Sequence, residues 1–157
     1  MSTVDWTRIP GPERYRPERA AAAERALADA ATEYRAGRAV ADLRHEVSND
    51  HAGSLYPAAV PATSVFVQVI LERPGEPRYW ALTTLLDWWG LFRPEPGFPG
   101  YPDPEAGPVE ITEGIVLRVR EKAPELARLA GDPRTDRRKD IAELLRCVHR
   151  GWVVEDC

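Results

Sequence analysis

The side chains best able to do chemistry in this 157-residue chain are scattered along it. His45-Glu46 followed by His51 offers two imidazoles and a carboxylate, the ingredients of a zinc-hydrolase helix. Coordination from one helical face needs the histidines four apart with the glutamate between them. Here they are six apart, and Asn49 and Gly53 argue against a continuous helix, so the expected role is polar residues around an inter-helix turn. Cys147 and His149 sit two apart on a helix and diverge by about two hundred degrees. The sequence has no Gly-x-Ser-x-Gly elbow and no glycine-rich phosphate cradle. The expectation is a chain with no catalytic residues, no metal ligands and no cofactor.

Residues suited to recognition are better grouped. Three of the five tryptophans, Trp80, Trp88 and Trp89, fall on one short helix with Asp87 beside them. Trp89 shares a stripe with Leu82, Leu85 and Leu86 and is expected in the core. Trp88 points elsewhere, because adjacent helical side chains diverge; it must meet a neighbouring helix, a loop or a partner. Directly after this helix, residues 93–108 contain six prolines together with Glu95, Phe98, Tyr101, Asp103 and Glu105. Proline lowers the entropy a segment loses on binding, and the aromatics supply contact area. The same composition suits a surface lid closing a gap between helical hairpins. The expected partner-binding set is Trp80, Asp87, Trp88, Glu95, Phe98, Tyr101, Asp103 and Glu105.

The elements that must position these residues are helices. Residues 1–16 read as an irregular arm anchored by Trp6, Ile9 and Tyr15. Pro17 stands at a first helical position, Glu18 to Ala36 is an alanine-rich helix, and Gly37 reads as its C-cap. Val40, Leu43 and Val47 mark a short helix after it. Ala58 to Leu71 is apolar nearly all round, which predicts the most buried helix, with Pro61 tolerated in its first turn. A turn at Arg73-Pro74-Gly75 precedes a helix from Arg78 to Phe92. The proline density of 93–108 predicts a loop with no regular element. A helix from Val109 to Ala130 is interrupted at Pro124. After Gly131-Asp132-Pro133 comes a final helix, Thr135 to His149, whose stripe is Ile141, Leu144, Leu145 and Val148. Gly151 ends it, and Trp152, Val153 and Val154 form an apolar segment able to cap the stack.

Composition bounds the function. Hydrophobic content of 43% with 29% charged residues is that of one ordinary globular domain, 1–157. No apolar run is long enough to span a bilayer, and the first residues carry no export pattern, which leads to the expectation of a cytoplasmic protein. A formal net charge of -4 argues against a nucleic-acid binder. The basic residues are almost all arginine, a bias that fits a GC-rich genome, and Arg134, Arg137, Arg138 and Lys139 are diluted by Asp136 and Asp140. Cys147 and Cys157 are expected as free thiols. Between Arg93 and Glu113 five carboxylates face one arginine, so a partner for this region would be basic.

Two stretches carry a resemblance. Gly131-Asp132-Pro133-Arg134-Thr135-Asp136-Arg137-Arg138-Lys139-Asp140-Ile141-Ala142-Glu143-Leu144-Leu145 resembles the turn and second helix of a HEAT repeat. Gly53-Ser54-Leu55-Tyr56-Pro57-Ala58-Ala59-Val60-Pro61 is similar to the lead-in to the first helix of small bacterial HEAT-like proteins. The chain departs from that family in its proline-rich insert and its alanine-rich first helix. The resemblance implies an all-α fold, a short α-solenoid of about three stacked helical hairpins, and a role as a binding scaffold, including antitoxin-like and immunity roles. The expected function is therefore a non-enzymatic protein-binding module. The competing class is an enzyme or nucleic-acid-processing domain on the same scaffold, such as a HEAT-like DNA glycosylase, which would need a basic concave face. A third reading is a small apolar ligand held between hairpins.

Overall fold

The structure, a computed structural model, describes residues 4–154. Cys157 and the first three residues of the predicted arm lie outside the described residues. The fold is mostly helical: α1 (Pro17–Asp29), α2 (Glu33–Val47), α3 (Ala59–Glu72), α4 (Glu76–Trp88), α5 (Ile111–Glu121), α6 (Ala123–Gly131) and α7 (Arg138–Arg150). No helix among the described residues is long and apolar enough to cross a membrane.

The arm is anchored as its aromatics predict. A single 3-10 turn, Trp6–Arg8, is capped by Asp5, whose carboxylate accepts from the Thr7 N–H at 3.2 Å. Trp6, Ile9 and Tyr15 are buried. The Tyr15 hydroxyl donates to the Trp6 carbonyl at 2.7 Å and the Trp6 indole donates to Glu24 of α1 at 3.2 Å. Burial raises the Glu24 carboxyl pKa, against the opposing effect of that indole donor.

The first long helix of the sequence reading is two helices. Pro17 does open α1, but the chain leaves the helix at Ala30, and Thr32 caps α2 by accepting from the Arg35 N–H at 3.2 Å. A Thr followed by Glu33 in the first turn is a start signal, and alanine-richness on both sides obscured it. Gly37 is consequently no C-cap. It is buried inside α2 where α4 crosses, and a Cβ there would stand 3.0 Å from the Cβ of Glu76 and 3.0 Å from the Trp80 ring. The absent side chain sets the α2–α4 spacing.

α3 has its sides closed by α2, α4 and α5 and buries nine residues, in keeping with its apolar composition. Gly114 of α5 approaches Val60, and the Arg118 guanidinium donates to the Ser64 hydroxyl at 3.0 Å, so α3 and α5 run in the same direction. α5 and α6 are separated at Lys122, next to Pro124. α6 and α7 form a hairpin, and α7 buries Ile141, Leu144, Cys147 and Val148.

Five short strands interrupt the helices, so the expectation of a purely helical chain is refined. β1 (Ser48–Asn49) pairs antiparallel with β2 (Ser54–Leu55), which pairs parallel with β3 (Arg93–Pro94). β4 (Gly100–Asp103) and β5 (Gly107–Glu110) form a hairpin, Tyr101 opposite Val109 and Pro102 opposite Pro108. The proline-rich segment is thus ordered in part as β structure, which corrects the prediction of no regular element. Two prolines facing each other fill a pair that exchanges no hydrogen bonds, and in a two-stranded ribbon each residue's outer side needs no partner.

Candidate functional site

Two edges of the molecule, at opposite ends of α2, α4 and α7, collect the charged and aromatic side chains. The first holds the turns between paired helices: 30–32, 73–75 and 132–137. Arg73 donates to the carbonyls of Leu27 and Ala30, the latter at 3.0 Å, tying the second turn to the first. The Gly75 N–H donates to Asp136 at 3.0 Å, and the buried Arg78 guanidinium meets the same carboxylate while its Nε donates to the Ile70 carbonyl at 2.7 Å. The three turns are therefore linked side by side. Arg137 lies over the Tyr79 ring at 4.6 Å. Charge on this edge secures backbone, since a buried guanidinium is tolerated only with its donors matched.

The second edge carries most of the predicted binding residues, and the structure sorts them. Trp88 is fully buried and packs edge-on to Phe66, ring centroids 5.7 Å apart. Its neighbour Trp89 is only half-buried, stacked at 5.0 Å on Trp152, with its indole donating to the Gly151 carbonyl at 3.1 Å. The expectation of a core Trp89 is corrected, while Trp88 meets a neighbouring helix, the first of the three places expected for it. α4 has packing on more than one side, so the Leu82/Leu85 stripe does not define the only inward direction. Trp80 fills the α2–α4 crossing at Gly37, edge-on to Tyr79. Asp87 is exposed and pairs at 2.8 Å with Arg44, which also holds Asp50 at 3.1 Å.

In the proline-rich segment, Glu95 accepts from the Ser54 hydroxyl beside the β2–β3 pairing. Phe98 is half-buried and Tyr101 buried. Asp103 accepts from the N–H groups of Glu105 and Ala106 at 2.9 and 3.1 Å and pairs with Arg118 at 3.0 Å. Burial opposes its ionised form, but these donors and the guanidinium outweigh it and hold the carboxyl below its ordinary range. Arg118 also lies 5.9 Å from the Tyr101 ring centroid and pins the hairpin to α5. Of the predicted set, Trp80, Trp88 and Tyr101 are packing residues, Asp87, Glu95 and Asp103 have partners within the chain, Phe98 is half-covered, and Glu105 is fully open.

The acids of this edge were in the sequence reading; its open apolar residues were not among the predicted binding set. Leu91 is 65% exposed and Val153 58% exposed, and both lie beside Trp89. Between them lies a hollow of about 380 Å³ lined by Leu86, Trp89, Leu91, Glu143, Cys147 and Val153, among others. A second hollow of about 330 Å³ lies beyond Gly151 and Trp152, bounded by Glu110, Glu113, Val116, Leu117 and Arg120. Glu105, Glu110 and Glu113 are exposed along the adjoining hairpin and α5. Leu91 falls inside the helix expected from Arg78 to Phe92, but α4 ends at Trp88 and leaves it beyond the helix. Its neighbour Val153 belongs to the apolar segment 152–154, of which Trp152 packs against the core while Val153 and Val154 are exposed. His45 and His51 are both exposed, the first on α2 and the second in the turn after β1.

Comparison with family models, curated proteins and solved structures finds no match for this chain.

Proposed function

We propose that this chain is a non-enzymatic protein-binding module on a short helical-repeat scaffold of the HEAT-like kind, which holds a basic partner protein in order to neutralise or scaffold it. The observation that carries the reading is the second edge: open Leu91 and Val153 share a hollow with Trp89 of a half-buried tryptophan pair, the exposed acids Glu110 and Glu113 line the hollow beside Trp152, and Glu105 is exposed in the hairpin turn. An apolar centre with an aromatic anchor inside a charged rim is the anatomy of a protein interface. The contact centre is therefore Trp89 and Leu91, in place of Trp88. Acidic residues at the rim give a fast, salt-sensitive association with a basic surface. The repeat scaffold is supported by the linked turns and by the common direction of α2, α4 and α7. The neutralising role follows from the resemblance of the Gly131–Leu145 stretch.

Affinity capture from cell extract at two salt concentrations tests the reading with wild type, Leu91→Asp, and a Glu105/Glu110/Glu113 lysine reversal. The expected result is one stoichiometric protein, weakened by salt and lost in both variants. Retention of the same protein by both variants would remove this edge as the binding site.

A further inference from the structure

The segment following α7 lies across the proposed contact centre as an extended strap, and its seating is incomplete. Gly151, at φ +79°, turns the chain out of the helix. Trp152 then stacks on Trp89, and Val153 passes over Gly90 so closely that a Cβ there would meet the Val153 carbonyl at 2.7 Å. Among the described residues only the Trp89 indole donates to the strap, through the Gly151 carbonyl. Residues 152–154 make no backbone hydrogen bond to another described residue. The Trp152 indole N–H is buried without an acceptor among the described residues, and Val153 and Val154 are turned to solvent. The two hollows lie on opposite flanks of Gly151, so the groove is wider than the segment in it.

A buried unpaired donor is destabilising, and apolar groove surface left open to water forgoes the gain of burial. The strap therefore occupies its groove with less than full complementarity. We propose that residues 151–154 are a self-docked, displaceable occupant of a peptide groove formed by the end of α4, α5 and α7. The displacing ligand is an extended segment of a partner protein carrying an aromatic anchor, small β-branched neighbours and flanking basic residues. The strap itself supplies the template for the aromatic and apolar positions. The basic flanks follow from charge: Glu143 and Arg150 balance in one hollow, while Glu110 and Glu113 oppose the single Arg120 in the other, which leaves the groove net acidic. This proposal rests on the protein-binding reading above and adds an internal competitor to it. Binding is slowed or weakened until the strap leaves, because the competent state is only a fraction of the population.

The probe is a fluorescein-labelled peptide of sequence KKGWVVK, followed by fluorescence anisotropy. It is titrated against the intact chain, a chain ending at Arg150, the intact Trp152→Ala variant, and Trp89→Ala in the shortened chain. The expected result is at least a tenfold gain in affinity on removing the strap, a smaller gain for Trp152→Ala, and loss of binding with Trp89→Ala. Equal, measurable affinities for the intact and shortened chains would overturn the strap while leaving the groove. Absence of binding to every form would overturn the groove as well. Circular dichroism reports whether the shortened chain folds. If it does not, Trp152→Ala in the intact chain decides alone, and an unchanged affinity there overturns the proposal.

Discussion

The two edges of this molecule are built from similar residue types and use them in opposite ways. At the turn edge, Arg73, Arg78 and Asp136 are engaged with backbone and with one another, and Arg78 is only 4% exposed. At the other edge, the aromatic pair is half-covered, Leu91 is open, and three glutamates face water. Charge density alone would have pointed to the arginine-rich turn as the functional surface. Burial and partner geometry reverse that choice, since a side chain already satisfied within the fold has little left to offer a ligand.

The comparison can be broken most forcefully at Trp88. As a fully buried indole it should behave as core, and Trp88→Ala should cost about 3–5 kcal/mol of stability in urea unfolding. A near-native midpoint with weakened partner binding would return Trp88 to the contact surface. Arg78→Ala comes next, with an expected loss of about 2–4 kcal/mol, because Asp136 and the Ile70 carbonyl lose their donor together. A loss below half a kcal/mol would show that the turns are held by something else. Gly37→Leu should overpack the α2–α4 crossing and destabilise by about 1–3 kcal/mol. A C-cap in an open turn would tolerate leucine's bulk far better, so thermal unfolding distinguishes the two placements of that glycine.

The smallest effect concerns Asp103, whose folded carboxyl is held low. The sign follows from linkage: its stabilisation is present above the unfolded carboxyl value of about 4 and is lost as pH falls through the lower folded value. Asp103→Asn keeps an acceptor for Glu105 and Ala106 but removes the charge facing Arg118. It should cost about 1 kcal/mol at pH 7, and less as the solution is acidified toward pH 2. A difference that stays constant with pH would mean the ion pair does not stabilise the hairpin.

Much of the helical framework was legible because apolar spacing and punctuation agree: Pro17, Pro61, the Arg73-Pro74-Gly75 turn, Pro124 and Gly151 all fall where expected. The break at 30–32 was hidden, since alanine favours helix on both sides and only Thr32 marks the restart. The β4–β5 hairpin was hidden for a different reason: its prolines are compatible with a two-stranded ribbon whose outer sides need no partners. At the second edge the acids and prolines were visible, but which indole of an adjacent pair turns inward depends on where α2, α3 and α7 lie. Spacing within α4 carries no such information.

The two edges offer an even test, because the most exposed large hydrophobic side chain of each is about equally open: Tyr34, 68% exposed in the first turn of α2, and Leu91, 65% exposed after α4. A photo-crosslinking amino acid installed at either position in cells, followed by mass analysis of adducts, measures which edge meets a partner. The account predicts a single discrete protein adduct at position 91 that falls with salt in lysate, and none at position 34. An adduct of one mass at position 34, with position 91 blank, would contradict it.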